Sequence, residues 1–228
     1  MIDCLKSYQG KMANFAKTFM IPRQEALNRG EEFKPEGFSN FEKIFFGFME
    51  ICETVETIEM ILILVSINPP RSKKISVDLY FKHVISSYLS EVYILKERLN
   101  TYATKISRMY KKANLSHGIE TNFDALYANI KNQLKDINSK RNDHVHNKRH
   151  SDDMLTSLAL LKFVSDIDES FREGLNIQYK ILKINWKQFM LANNEEMVKL
   201  LINYFDIIFE WITVDGDIVL PNRVTRGI

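Results

Sequence analysis

The sequence predicts an all-α fold: a bundle of five or six helices packed up and down, one of them a long central helix. Three observations carry that expectation. Apolar residues recur at spacings of three and four almost throughout, which is the period of a helix and not of a strand. Only eight Gly and five Pro occur among 228 residues, too few for the tight turns of an all-β sandwich. Hydrophobic residues make up 45% and charged residues 26%, an ordinary globular composition, and fifteen Phe, nine Tyr and two Trp are available to fill a core. Such a chain buries enough apolar surface to exclude general disorder.

In chain order, Cys4 to Met20 suits an amphipathic helix, and Ile21 to Gly37, with Pro22, Gly30 and Pro35, reads as a loop. Ser39-Asn40-Phe41-Glu42 fits a capping box: the Ser oxygen accepts from a free backbone N–H and the Glu reaches back. A stripe follows at Phe41, Phe45, Phe48, Cys52, Val55, Ile58 and Leu62, and Pro69-Pro70 stops it. The next helix spans Val77 to Lys112, with Val84, Tyr88, Val92, Leu95, Leu99, Tyr102, Ile106 and Met109 on one face. Its later outer face carries Lys96, Arg98, Lys105, Arg108, Lys111 and Lys112, which reads as a solvated charge run in preference to a nucleic-acid contact. Asn114 to Gly118 breaks the pattern. A helix from about Asn122 then points Phe123, Tyr127, Ile130, Leu134 and Ile137 inward.

A polar segment, Asn138 to Asp153, comes next, and Ser151 or Asp152 can cap the helix beyond it. That helix carries Leu155, Leu158, Leu161 and Val164 and is expected to continue through Phe171, Leu175, Leu182 and Phe189, with Gly174 marking a bend or a close helix crossing. Asn193-Asn194 reads as a turn before a last helix bearing Met197, Leu201, Tyr204, Ile208 and Trp211. Asp215-Gly216 reads as a turn in a short extended tail. The whole chain, 1–228, reads as one domain, with 1–37 as an N-terminal extension.

Two Cys, Cys4 and Cys52, cannot build a disulfide framework, so a reducing, cytoplasmic setting is expected. The most apolar run, Met60 to Ile67, falls far short of the roughly 20 residues that span a bilayer. The N-terminus lacks the apolar stretch of a secretory signal. No membrane partner is expected.

The net charge of +2 hides a local excess. Lys131 to His150 holds six Lys/Arg against two Asp, a net +4 that leaves −2 for the rest of the chain. Three of the five His, His144, His146 and His150, fall in that stretch. A solvated connection between helices explains it blandly. A metal site at His144 and His146 is disfavoured: H-x-H diverges by about 200° on a helix, and no Cys pair or second His/Glu motif completes a ligand set. No metal or other cofactor is expected. Gly-rich phosphate loops, Walker motifs and G-x-S-x-G elbows are missing, which removes support for kinase, nucleotide hydrolase and serine hydrolase readings.

The third reading rests on Arg141-Asn142-Asp143-His144-Val145-His146. Here the chain resembles the HEPN superfamily, whose catalytic members carry Arg, four to six residues, then His, often with Asn directly after the Arg. The motif is short and occurs by chance elsewhere; its setting between amphipathic helices in an all-helical chain gives it weight. The resemblance implies a single HEPN-like domain and a metal-independent endoribonuclease. Arg141, Asn142 and His146 would be catalytic, and His144, Lys148 and Arg149 would contact RNA. It further implies a homodimer with motifs facing across the interface, a toxin or phage-defence context, and an antitoxin or nucleotidyltransferase partner. The residue types suit the task. A His titrates near neutrality and serves as base or acid. Arg brings a permanent charge in a planar fork that matches phosphate. Two other classes stay open: a non-catalytic helical module binding RNA, nucleotide or a partner protein, and a purely structural dimer.

Overall fold

The computed structural model describes residues 1–33, 37–69, 74–113, 119–135, 137, 139 and 153–221. It is all-α. Six α-helices lie among the described residues: α1 (Lys6–Asn28), α2 (Phe38–Ser66), α3 (Val77–Lys112), α4 (Ile119–Gln133), α5 (Asp153–Ser165) and α6 (Arg172–Ile212). Short 3-10 turns precede α1 and α6, and a two-stranded hairpin, β1 (Thr213–Val214) and β2 (Asp217–Ile218), follows α6.

The long helix α3 keeps its expected bounds, Val77 to Lys112, and buries Val84, Tyr88, Val92, Leu95, Leu99, Tyr102 and Ile106. Tyr110 takes the last inward place, while Met109 is half-buried. Helix α2 buries Phe41, Phe48, Cys52, Val55 and Ile58 of the expected stripe, together with Ile44, Ile51, Ile61 and Val65. On α4 the buried face is Leu126 and Ile130, so Tyr127 lies 38% exposed.

Four local expectations are corrected. Helix α1 does not stop at Met20 but runs through Pro22 to Asn28; Pro22 removes one hydrogen bond, and the residues beyond it, Gln24, Glu25, Ala26 and Leu27, are good helix formers. It ends in a Schellman motif: Gly30 has φ +70, its N–H reaches Leu27 O at 3.0 Å, and Glu31 N–H reaches Ala26 O at 2.9 Å. Helix α2 begins at Phe38 behind Gly37 (φ +80), so Ser39 sits inside the first turn and not at its cap. The break after α5 comes at residues 166–168, before Gly174, where the Asp168 carboxylate accepts the Ser170 N–H at 2.9 Å. Finally, α6 passes straight through Asn193-Asn194 as a 41-residue helix. Asn193 donates to the Phe189 carbonyl one turn back, and Asn194 is buried and accepts from the Tyr88 hydroxyl at 3.0 Å. The turn at Asp215-Gly216 is as expected: Asp215 (φ 51) and Gly216 (φ 90) close a hairpin that pairs Val214 with Asp217.

By their contacts the residues fall into two compact units. The first comprises Met1–Glu53, Leu95–Gln133 and Val198–Ile228; the second comprises Thr54–Ile94 and Leu134–Met197.

The first unit is built on rings. Phe19 stacks on Phe41 with centroids 4.4 Å apart, Phe41 on Phe45 at 5.4 Å, and Phe48 meets Phe205 edge-on at 5.2 Å. Helix α1 is integral to this unit, because Phe15 and Phe19 pack on Phe41 and the Tyr8 hydroxyl donates to the Asp206 carboxylate. Tyr102 donates to Ile44 O (3.1 Å), Tyr204 to Leu99 O (2.7 Å) and Tyr110 to Val219 O. At Gly47 the Tyr102 ring leaves no room for a side chain: an added Cβ would lie 2.5 Å from it.

The second unit is largely aliphatic: Val55, Ile58, Ile61, Val65, Val84, Ile85, Leu89, Leu134, Ile137, Leu155, Leu158 and Leu182 are buried. Its polar ties are Tyr88 to Asn194 and Tyr80 to Leu64 O at 2.8 Å. Lys183 covers the carbonyl of Ile67 at 3.0 Å, one of the groups a helix C-terminus leaves unpaired. Burial holds Tyr88, Tyr102, Tyr110 and Tyr204 well above the ordinary tyrosine range, because the phenolate is poorly solvated there.

Candidate functional site

Arg141, Asn142, His144, His146, Lys148 and Arg149 lie outside the described residues, as do the expected caps Ser151 and Asp152. The structure therefore describes the two flanks of the motif. On the N-terminal flank, beyond the end of α4, Leu134 and Ile137 are buried; on the C-terminal flank, Leu155 and Leu158 of α5 are buried. All four side chains belong to the second unit. The chain is thus anchored in one core both before and after the motif. Asp153 stands in the first turn of α5, where its charge complements the helix dipole.

The outer face of α5 was not legible as a feature of interest. Leu160 is 63% exposed, Phe163 66%, and Ile167 just beyond the helix 76%. Spacings of three and four put these three side chains on one line. The same alternation in the sequence looks like an ordinary core stripe; only burial distinguishes the inner line from the outer one.

Two cavities stand out in the first unit. One, of about 530 Å³, runs along α1 and α2 and is lined by Met12, Ala16, Met20, Phe45 and Met49, with Gln9 and Lys17 among its polar groups. Its size suits a small molecule. The other, of about 600 Å³, gathers Lys43 from α2 with Lys105, Arg108 and Lys112 from α3, beside Asn40 and Pro221.

The sequence reading favoured a solvated face for the cations of α3 over a nucleic-acid contact, and for half of them the structure supplies other engagements. Arg98 donates to Glu50 O, Lys96 lies 3.7 Å from Glu97, and Lys111 sits 6.0 Å from the centre of the Phe123 ring. Lys105, Arg108 and Lys112 instead share the cavity. Lys43 joins them only through the tertiary fold, and no signal along the chain announced it.

Among the described residues, no group of three or more His, Cys, Asp or Glu could hold a metal ion, and no helix is long and apolar enough to cross a membrane. Comparison with known proteins finds no matching family model, no matching curated protein and no matching solved structure. The fold defines the class, an all-α helical protein.

Proposed function

We propose that the chain is a metal-independent endoribonuclease of the HEPN type, acting as a homodimer. The observation that carries this reading is Arg141-Asn142-x-x-x-His146, placed in the chain between α4 and α5, with residues on both flanks buried in a common core. One His146 takes the proton from an RNA 2′-hydroxyl, whose oxygen then attacks the adjacent phosphorus. Arg141 stabilises the charge that builds on the phosphate oxygens. A second His146, from the partner copy, protonates the leaving 5′-oxygen as the P–O bond breaks. The products are a 2′,3′-cyclic phosphate and a 5′-hydroxyl. Asn142 orients one of these groups, and His144, Lys148 and Arg149 hold the RNA backbone.

The exposed apolar residues Leu160, Phe163 and Ile167 support the dimer, since the first two lie on the helix that follows the motif and the third just beyond it, and isologous pairing is the commonest association of like chains. An antitoxin or nucleotidyltransferase partner and a role in defence belong to the same proposal, as does a cytoplasmic location.

The test is incubation of the pure protein with mixed cellular RNA in EDTA. Cleavage should persist and leave cyclic phosphate ends, and Arg141→Ala and His146→Ala should each lower the rate at least about 10²-fold. Activity that needs a divalent metal, or that survives both substitutions, overturns the mechanism.

A further inference from the structure

We propose that the cavity formed by Lys43, Lys105, Arg108 and Lys112 binds the phosphate backbone of single-stranded RNA, at a site separate in sequence from the motif. Three observations converge. Lys105, Arg108 and Lys112 are spaced by three and four residues, so they line one face of α3 over about 10.5 Å of its axis. Lys43 enters from a different helix, α2, so the four cations surround a space of about 600 Å³ and are not strung along one exposed ridge. No Asp or Glu is among the described residues lining that space. Like charges around one cavity repel, and none of the described residues lining it is acidic to offset them.

The ordinary explanation for cations near the end of a helix is compensation of its dipole. That accounts for Lys112 in the last turn of α3. It does not account for Lys105, two turns earlier, nor for Lys43 near the other end of its own helix. An anionic ligand accounts for all four.

The residue types narrow the ligand. Arg108 offers a planar fork and the lysines offer point charges, a combination that suits phosphate oxygens spread along a chain. A membrane surface is a poor fit: the cations are gathered round a concavity whose one large apolar side chain, Met109, is itself half-buried, whereas interfacial helices present a broad apolar face. The choice of RNA as the occupant rests on the ribonuclease reading.

The test uses the full chain carrying His146→Ala, so that RNA is bound and not cut. The probe is a fluorescein-labelled single-stranded RNA of mixed sequence, titrated at several salt concentrations. Adding Lys105→Gln and Arg108→Gln should lower the log–log salt slope by about 1.4, or about 0.7 for each lost phosphate contact. Lys105→Arg with Arg108→Lys should keep the slope. Lys180→Gln with Lys187→Gln, exposed cations of the second unit, should also leave it unchanged. An unaltered slope in the Gln pair, or an equal loss in the Lys180/Lys187 pair, overturns the proposal. Cleavage by the unmodified chain with an unaltered slope in the Gln pair sinks the cavity and leaves the ribonuclease standing. No cleavage, with the slope change present, does the reverse.

Discussion

The first unit fills its interior with rings, and the second fills its own mostly with branched aliphatics. Phe15, Phe19, Phe41, Phe48 and Phe205 occupy the one; Val55, Ile58, Val65, Ile85 and Leu158 occupy the other. Their surfaces differ in the opposite sense. The first unit gathers cations around a cavity, whereas the second leaves Ile63, Leu160, Phe163 and Ile167 each more than 60% exposed. In the first unit the buried hydroxyls of Tyr102 and Tyr204 are satisfied on backbone carbonyls. A unit with apolar side chains left outside invites a partner to cover them.

The contrast is open to a direct attack through pH. Tyr8, Tyr102, Tyr110 and Tyr204 lie in the first unit and Tyr88 in the second, and burial raises all five far; Tyr80 and Tyr179 of the second unit are raised too, but less. In the unfolded chain a tyrosine ionises near pH 10, while in the folded chain these stay protonated. Stability is therefore intact below about pH 10 and falls above it, by about 1.4 kcal/mol per pH unit for each such group. Trp211 reports on the first unit and Trp186 on the second, so Trp186→Phe and Trp211→Phe each leave one reporter. Denaturant midpoints at pH 8 and pH 11.5 should fall further when read at Trp211 than at Trp186. Coincident curves at both pH values would show that the two units unfold as one and dissolve the distinction.

A smaller effect tests the close packing of the first unit. Ala for Gly in a helix gains about 1 kcal/mol of propensity, but at position 47 the new Cβ meets the Tyr102 ring at 2.5 Å. That ring is buried and its hydroxyl is bonded, so it has little room to give. Overpacking of this kind costs about 1–3 kcal/mol, and Gly47→Ala should be destabilising on balance. Gly10→Ala, where nothing lies within 4 Å, should stabilise by about 0.5–1 kcal/mol. Thermal melts of the two variants read the difference in sign.

The smallest effect on the fold belongs to the outer face of the second unit. Leu160→Glu with Phe163→Glu should change the stability of the single chain by no more than about 0.5 kcal/mol per site, as exposed substitutions do. The same pair should convert the dimer to monomer by light scattering and reduce RNA cleavage with it. A dimer unaffected by both charges would move the interface elsewhere.

How far the sequence could be read depended on whether the deciding information was local. The bounds of α3 and the Asp215-Gly216 turn were legible, because periodicity and turn chemistry act within a few residues. Asn193-Asn194 misled for the opposite reason. Asparagine favours turns because its side chain competes for the backbone, but Asn194 is occupied by Tyr88, 106 positions away in the chain. Of the motif, the residues themselves were legible, since R-N-x-x-x-H is local. The pairing of two copies is not written in one chain's periodicity, and Lys43 joined the α3 cations only through folding.

Pro22 has a consequence for how α1 fails. Proline has no N–H, so the carbonyl of Thr18 has no rung above it and the ladder of α1 is interrupted there. Before the gap, Tyr8, Met12, Phe15 and Phe19 hold the helix in the core; after it, Ala26 is the one buried side chain up to Asn28. The last turn and a half can therefore open without disturbing the ring stack. Arg23 and Arg29 stand at the two edges of that stretch, which makes it the place where a trypsin-like protease would nick the native chain and leave the aromatic core behind.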